Sequence, residues 1–87
     1  MRCEITFIGK VQGVGFRVTA KRLADEQRLT GWIRNDADGS VHLVVEGPDS
    51  TVAGFLTDLR ARLDGFISHE EIATGEDTGR YAGFEIR

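Results

Sequence analysis

Apolar and polar side chains alternate from Arg2 to Gly9, with Cys3, Ile5 and Phe7 on one face and Glu4, Thr6 and Ile8 on the other. That period predicts a strand buried on at least one side. From Phe16 to Arg28 the period lengthens: Phe16, Ala20, Leu23, Ala24 and Gln27 recur at helical spacing, while Lys21, Arg22, Asp25 and Glu26 face away. Leu29-Thr30-Gly31 ends this helix and begins a second strand over residues 31–36. Asp36-Ala37-Asp38-Gly39 is a turn signal, so a hairpin joins that strand to residues 39–46, where Val41, Leu43 and Val45 alternate with His42, Val44 and Glu46. Gly47-Pro48-Asp49-Ser50 reads as a helix entry with Asp or Ser as the cap. Val52, Phe55, Leu56, Leu59 and Leu63 give the second helix one apolar stripe, and Asp64-Gly65 stops it. Residues 66–75 form a weaker strand around Ile67 and Ile72. After a loop at 75–79, Tyr81 to Arg87 is a short last strand with Phe84 and Ile86 buried.

The order β-α-β-β-α-β with an extra terminal strand predicts an α/β (α+β) split β-α-β sandwich of the ferredoxin-like kind. In it, two helices cover one face of an antiparallel sheet of four to five strands. Eighty-seven residues make one domain, 1–87, without repeats, linkers or low-complexity segments.

Composition narrows the class. The chain is 40% hydrophobic and 29% charged, ordinary for a globular protein, and holds no apolar run long enough to span a membrane. Cys3 is the only cysteine, which excludes an internal disulfide and a thiolate zinc site and suits a small buried hydrophobe. With no signal-peptide pattern at the N-terminus, a reducing cytoplasm is the expected location. The net charge of −3 hides an asymmetry: residues 1–45 carry seven Lys/Arg against five Asp/Glu, and residues 46–87 carry four against nine. The basic half suits a small phosphorylated ligand, whereas the acidic whole lacks the broad basic face that nucleic acid needs.

Candidate chemistry concentrates in Gly9-Lys10-Val11-Gln12-Gly13-Val14-Gly15-Phe16-Arg17. A glycine-rich turn opening a helix aims several backbone N–H groups at one point, where the helix dipole also favours an anion. Arg17, in the first helical turn, can reach the same point with a two-pronged grip on phosphate or carboxylate. The stretch contains no Cys, Ser, Asp or His to serve as nucleophile, and no Lys-Ser or Lys-Thr follows the glycines as in a P-loop. No His, Asp and Glu cluster has metal-ligand spacing; His42 and His69 read as solvated strand residues, Lys10 and Arg34 as solvated charges, and Trp32, Phe55 and Phe84 as packing. A catalyst built this way must clamp a substrate that is already reactive and hold water in line with it. An acyl phosphate meets that demand.

Two segments resemble the signatures of the acylphosphatase family. Gly9 to Arg17 is similar to the first, and Gly31-Trp32-Ile33-Arg34-Asn35-Asp36-Ala37-Asp38-Gly39-Ser40-Val41, running on to Gly47, to the second. They stand in the family's order and separation and span close to half the chain. The resemblance implies that Arg17 and backbone N–H groups of Val11, Gln12, Gly13, Val14, Gly15, Phe16 and Arg17 bind the substrate phosphate. It implies further that Asn35 orients the attacking water, and that neither metal nor organic cofactor is needed. The expected partners are a small acyl phosphate and inorganic phosphate, with no nucleic acid or membrane, and the chain is expected to work as a monomer. Asp36, beside Asn35, would weaken anion binding if it pointed inward, which the strand alternation argues against.

Two other classes compete with an acyl phosphate hydrolase. The same domain occurs within larger proteins, resembling the N-terminal part of carbamoyl-transferring hydrogenase maturation factors. That leaves open a non-catalytic module binding phosphate or carbamoyl phosphate. A ferredoxin-like RNA-binding module would want exposed aromatics on the sheet and a basic surface, and this chain has one Trp, one Tyr and an acidic balance.

Overall fold

A computed structural model describes all 87 residues. The elements are β1 (Arg2–Gly9), α1 (Phe16–Glu26), β2 (Thr30–Asn35), β3 (Val41–Glu46), α2 (Asp49–Arg62), β4 (Ile67–Gly75) and β5 (Phe84–Ile86). The five strands form one sheet in the order β4-β1-β3-β2-β5. β1 and β2 are joined by α1 with β3 inserted between them, and β3 and β4 are joined by α2 with β1 between them. This is the split β-α-β arrangement that the element order predicts.

The alternation decides which face is covered. Ile5 of β1 lies opposite Leu43 of β3, which in turn lies opposite Ile33 of β2. All three are fully buried, together with Cys3, Phe7 and Val45. Phe16, Ala20, Leu23 and Ala24 of α1 and Val52, Phe55, Leu56 and Leu59 of α2 close over them in one cluster. Both helices therefore sit on the same side of the sheet. Burial also pushes the Cys3 thiol above its ordinary pKa, in keeping with an inert apolar side chain. Trp32 is buried too, but on the opposite face, outside that cluster. There the Arg34 and Arg87 guanidinium groups lie over its ring, at 4.9 and 5.4 Å from the centroid.

Four expectations are corrected. The sheet is mixed rather than antiparallel, because β5 runs parallel to β2. The segment after β4 crosses to the far edge of the sheet before β5 starts, and a crossing of that kind allows either direction. Ile86, expected to be buried, is 39% exposed, since β5 is an edge strand only three residues long. α1 ends at Glu26 instead of Arg28, where φ turns positive (56°) and the Leu29 N–H donates back to Ala24 O at 3.0 Å. α2 begins after Pro48 without a side-chain cap; Asp49 lies inside its first turn.

The crossing segment is held at Asp77 by the Met1 ammonium (2.9 Å), at Tyr81 by Trp32 (3.4 Å), at Gly83 by the Gly31 N–H (3.0 Å), and by a buried carboxylate at Thr78 and Gly79. Glu46, only 3% exposed at the end of β3, accepts hydrogen bonds from Thr78 N (2.9 Å), Thr78 Oγ1 (2.6 Å) and Gly79 N (3.0 Å). Burial opposes its charge, but these bonds and the Arg2 guanidinium at 3.4 Å outweigh it and hold the carboxyl below its ordinary pKa. A folded-state pKa below the unfolded value, about 4.3, means stabilisation that is complete above that value and is lost as pH falls through the folded one. Glu46→Gln is expected to be about 1–3 kcal/mol less stable than the parent at neutral pH, with the gap closing in acid. Urea denaturation at a series of pH values checks this; a gap unchanged in acid would contradict it.

Candidate active site

The loop from Lys10 to Gly15 is fastened from below and left bare above. Val11 is fully buried and Phe16 nearly so, its ring 4.8 Å from that of Phe7 in β1, and Val14 packs against the same core. Gly13 and Gly15 have φ of 79° and 77°, a left-handed backbone that costs L-residues about 1–2 kcal/mol. Open space surrounds both, so glycine is required for conformation and not for clearance.

The consequence lies in the main chain. None of the N–H groups from Val11 to Val18 donates to a main-chain carbonyl; the first that does is Thr19, to Gly15 O at 3.0 Å. No side chain caps α1 either. A run of free amides at a helix N-terminus is a site for an anion. A small cavity of about 90 Å³ opens there, lined by Val11, Gly13, Gly15, Phe16, Arg17, Val18 and Asn35. None of the chain's ion pairs engages Arg17. It is the only charged residue of the lining, so no carboxylate there competes with a bound anion.

Asn35 reaches this cavity from the end of β2. By strand alternation its side chain lies on the helix-covered face with Ile33. Its Oδ1 is buried and makes no hydrogen bond within the protein, a costly state for a buried acceptor that a bound water or ligand would relieve. Asp36 points to the other face, where its carboxylate pairs with Arg34 Nε at 2.8 Å and lies 3.9 Å from His42 Nδ1. It leaves the cavity free of negative charge, as the alternation predicts. His42 is part of this network and also meets Glu4 at 3.2 Å, so it is a paired residue rather than a solvated one. His69 is exposed.

The structure thus brings Val11, Gly13, Gly15, Phe16, Arg17 and Asn35 around one cavity and leaves two loop residues out of its lining. Val14 serves the core. Gln12 turns its side chain to the hairpin, and its Nε2 donates to Asp36 O at 2.8 Å and Ser40 O at 2.9 Å. Those carbonyls flank the turn that follows Asn35, so Gln12 ties the amide loop to the strand carrying the asparagine. Val18 is an addition to the residues singled out from sequence. The available signal was a β-branched residue on the exposed side of a first helical turn, where helix propensity would not select it.

The family model for acylphosphatase matches residues 3–86. The chain belongs to the acylphosphatase family. Its relatives include the acylphosphatase of Thiobacillus denitrificans, 41% identical over 91% of this chain and 88% of that one. That of Methylococcus capsulatus is 43% identical over 88% and 89%. The crystal structure of acylphosphatase from Bacillus subtilis superposes with a TM-score of 0.90 at 28% identity, covering 99% of this chain and 97% of that one. Full-length HypF, in its phosphate- and nucleotide-bound form, contains a region that matches with a TM-score of 0.88 at 25% identity; the chain spans 11% of its length. Hydrolysis of acyl phosphates is the function of the family, and this acylphosphatase is a hydrolase of that class.

Gln12→Ala removes the tie between loop and hairpin while keeping every group that lines the cavity. It is expected to cost about 1–2 kcal/mol of stability and to lower kcat on benzoyl phosphate by roughly 10- to 100-fold, as misplacement does. Inhibition by inorganic phosphate should weaken far less. Steady-state kinetics beside a urea titration checks this, and a kcat equal to wild type would remove Gln12 from the positioning of the site.

Proposed function

We propose that this acylphosphatase cleaves the carboxyl–phosphate bond by direct attack of water at phosphorus, with Arg17 and the Val11–Arg17 amides holding the phosphoryl group and Asn35 placing the water. The observation that carries the reading is a run of uncommitted N–H groups in a loop most of whose residues line one cavity, together with an unpaired guanidinium and a buried, unpartnered amide oxygen. The Arg17 fork grips two phosphoryl oxygens, and the loop amides hold the charge that spreads over them as the bond loosens. Asn35 Oδ1 accepts a hydrogen bond from water and turns its lone pair toward phosphorus, opposite the leaving oxygen. The new P–O bond forms as the P–O bond to the carboxylate breaks, and the departing carboxylate needs no general acid because it leaves as a stable anion. The water's second proton passes to a phosphoryl oxygen of the substrate itself, since no lining residue is a carboxylate or imidazole. The chemistry in this reading is positioning and electrostatics, which is most of what phosphoryl transfer asks of a protein.

One chain supplies every group named, which supports action as a monomer by residues 1–87 as a unit, without metal or organic cofactor. A single buried thiol is compatible with a cytoplasmic setting. The second reading, a non-catalytic module that binds phosphate or carbamoyl phosphate, draws on the likeness to a region of HypF. The relatives that match over most of their own length favour the free-standing enzyme.

Hydrolysis of benzoyl phosphate in excess EDTA separates the two. Turnover is expected, with Asn35→Ala losing on the order of 10²–10³ in kcat at nearly unchanged phosphate inhibition, and Arg17→Ala losing both. Arg17→Lys should fail nearly as badly, because a point charge does not replace a planar fork. In ¹⁸O-water the label belongs in phosphate and not in benzoate. Folded protein that binds phosphate without turnover would move the chain to the module reading, and label in benzoate would place the attack at carbon.

A further inference from the structure

Two of the four large apolar side chains that the molecule exposes are Val18 (65%) and Ile86 (39%), and they face the same groove. Scattered exposed apolar residues mean nothing singly, but these two converge. The groove, about 440 Å³ and open to solvent, runs between α1 and the edge strand β5 and is lined by Val18, Lys21, Arg22, Asp25, Glu26 and Ile86. Val18 also lines the cavity that holds Arg17 and Asn35, so groove and cavity meet at one side chain. From Val18 to Asp25 the helix rises ~10 Å, room for an aromatic ring or a medium alkyl chain beyond a phosphoryl group.

The walls are held and electrically balanced. Lys21 Nζ donates to Phe84 O at 3.0 Å and to Asp25 Oδ2 at 2.9 Å, pinning α1 to β5 and neutralising its own charge. Of the remaining rim charges, Arg22 and Glu26 are of opposite sign, so the groove offers no net charge to select an anionic or cationic acyl group. What it offers is apolar surface that adjoins, at Val18, the cavity lined by Arg17 and Asn35.

We propose that this groove is the acyl subsite, and that the chain's substrate class is acyl phosphates with an uncharged, apolar acyl group larger than acetyl. Val18 and Ile86 contact the acyl chain, and the stems of Lys21 and Arg22 complete the surface. The inference rests on the hydrolase reading above, and the test keeps the two apart. Benzoyl phosphate and acetyl phosphate are compared on wild type, Ile86→Ser and Val18→Ser, with inorganic phosphate as inhibitor and circular dichroism to verify folding. Ile86→Ser is expected to raise KM for benzoyl phosphate roughly three- to tenfold, below the effect of an enclosed apolar pocket because this groove is wet. Its kcat/KM for acetyl phosphate and its inhibition by phosphate should stay at wild-type values. Val18→Ser should shift the benzoyl-to-acetyl ratio in the same direction. An unchanged ratio in both variants, or equal losses on both substrates, would overturn the subsite while leaving the hydrolase reading intact. A folded wild type that hydrolyses neither substrate would overturn both.

Discussion

Main-chain amides that find no carbonyl are normally a defect, and here a continuous run of them, from Val11 to Val18, is what the molecule is arranged to present. Two left-handed glycines and an uncapped helix start keep the run from closing on itself. Any side-chain acceptor in the loop, such as Ser or Asp at the head of α1, would satisfy the amides locally and fill the place of an anion. The loop has none. Its apolar members, Val11, Val14 and Phe16, spend their side chains on the core, so rigidity comes from beneath and the polar edge stays available above.

The rest of the fold fixes where that edge stands relative to Asn35. β1 and β2 are not neighbours; β3 lies between them, and the loop after β1 would be free to drift from the end of β2 if only the sheet joined them. Gln12 closes the gap through two carbonyls of the hairpin, and Asp36 is drawn to the opposite face by Arg34. At the other end of the sheet, Glu46 holds the crossing segment that delivers β5 to β2. β5 in turn braces β2 and accepts Lys21 from α1. Cradle, asparagine strand and groove wall thus belong to one framework.

Much of this was readable before any coordinates. The apolar positions at every second residue, Cys3, Ile5 and Phe7 in β1 and Val41, Leu43 and Val45 in β3, and the 3.6-residue stripe of α2 are local signals, and local signals survive folding. The glycine stretch together with Arg17 pointed to the anion site, and Asn35 followed from a resemblance rather than from its own chemistry. What stayed hidden depends on distant partners. The direction of β5 and the exposure of Ile86 are set by which sheet edge the crossing segment reaches. The early end of α1 depends on a left-handed Arg28, a conformation no periodicity announces. The role of Gln12 needed the hairpin carbonyls to be 24 and 28 residues away in sequence and adjacent in space. Trp32 is buried as read, yet against two arginines and not in the core.

A titration of ¹⁵N-labelled protein with inorganic phosphate tests the central claim directly, because it reads each amide by name. Saturable shifts concentrated at Val11 to Val18 and at the Asn35 side chain, lost in Arg17→Ala, are the outcome expected of an anion cradle. Shifts scattered over the surface, or centred on the arginines around Trp32 while the loop amides stay still, would contradict it.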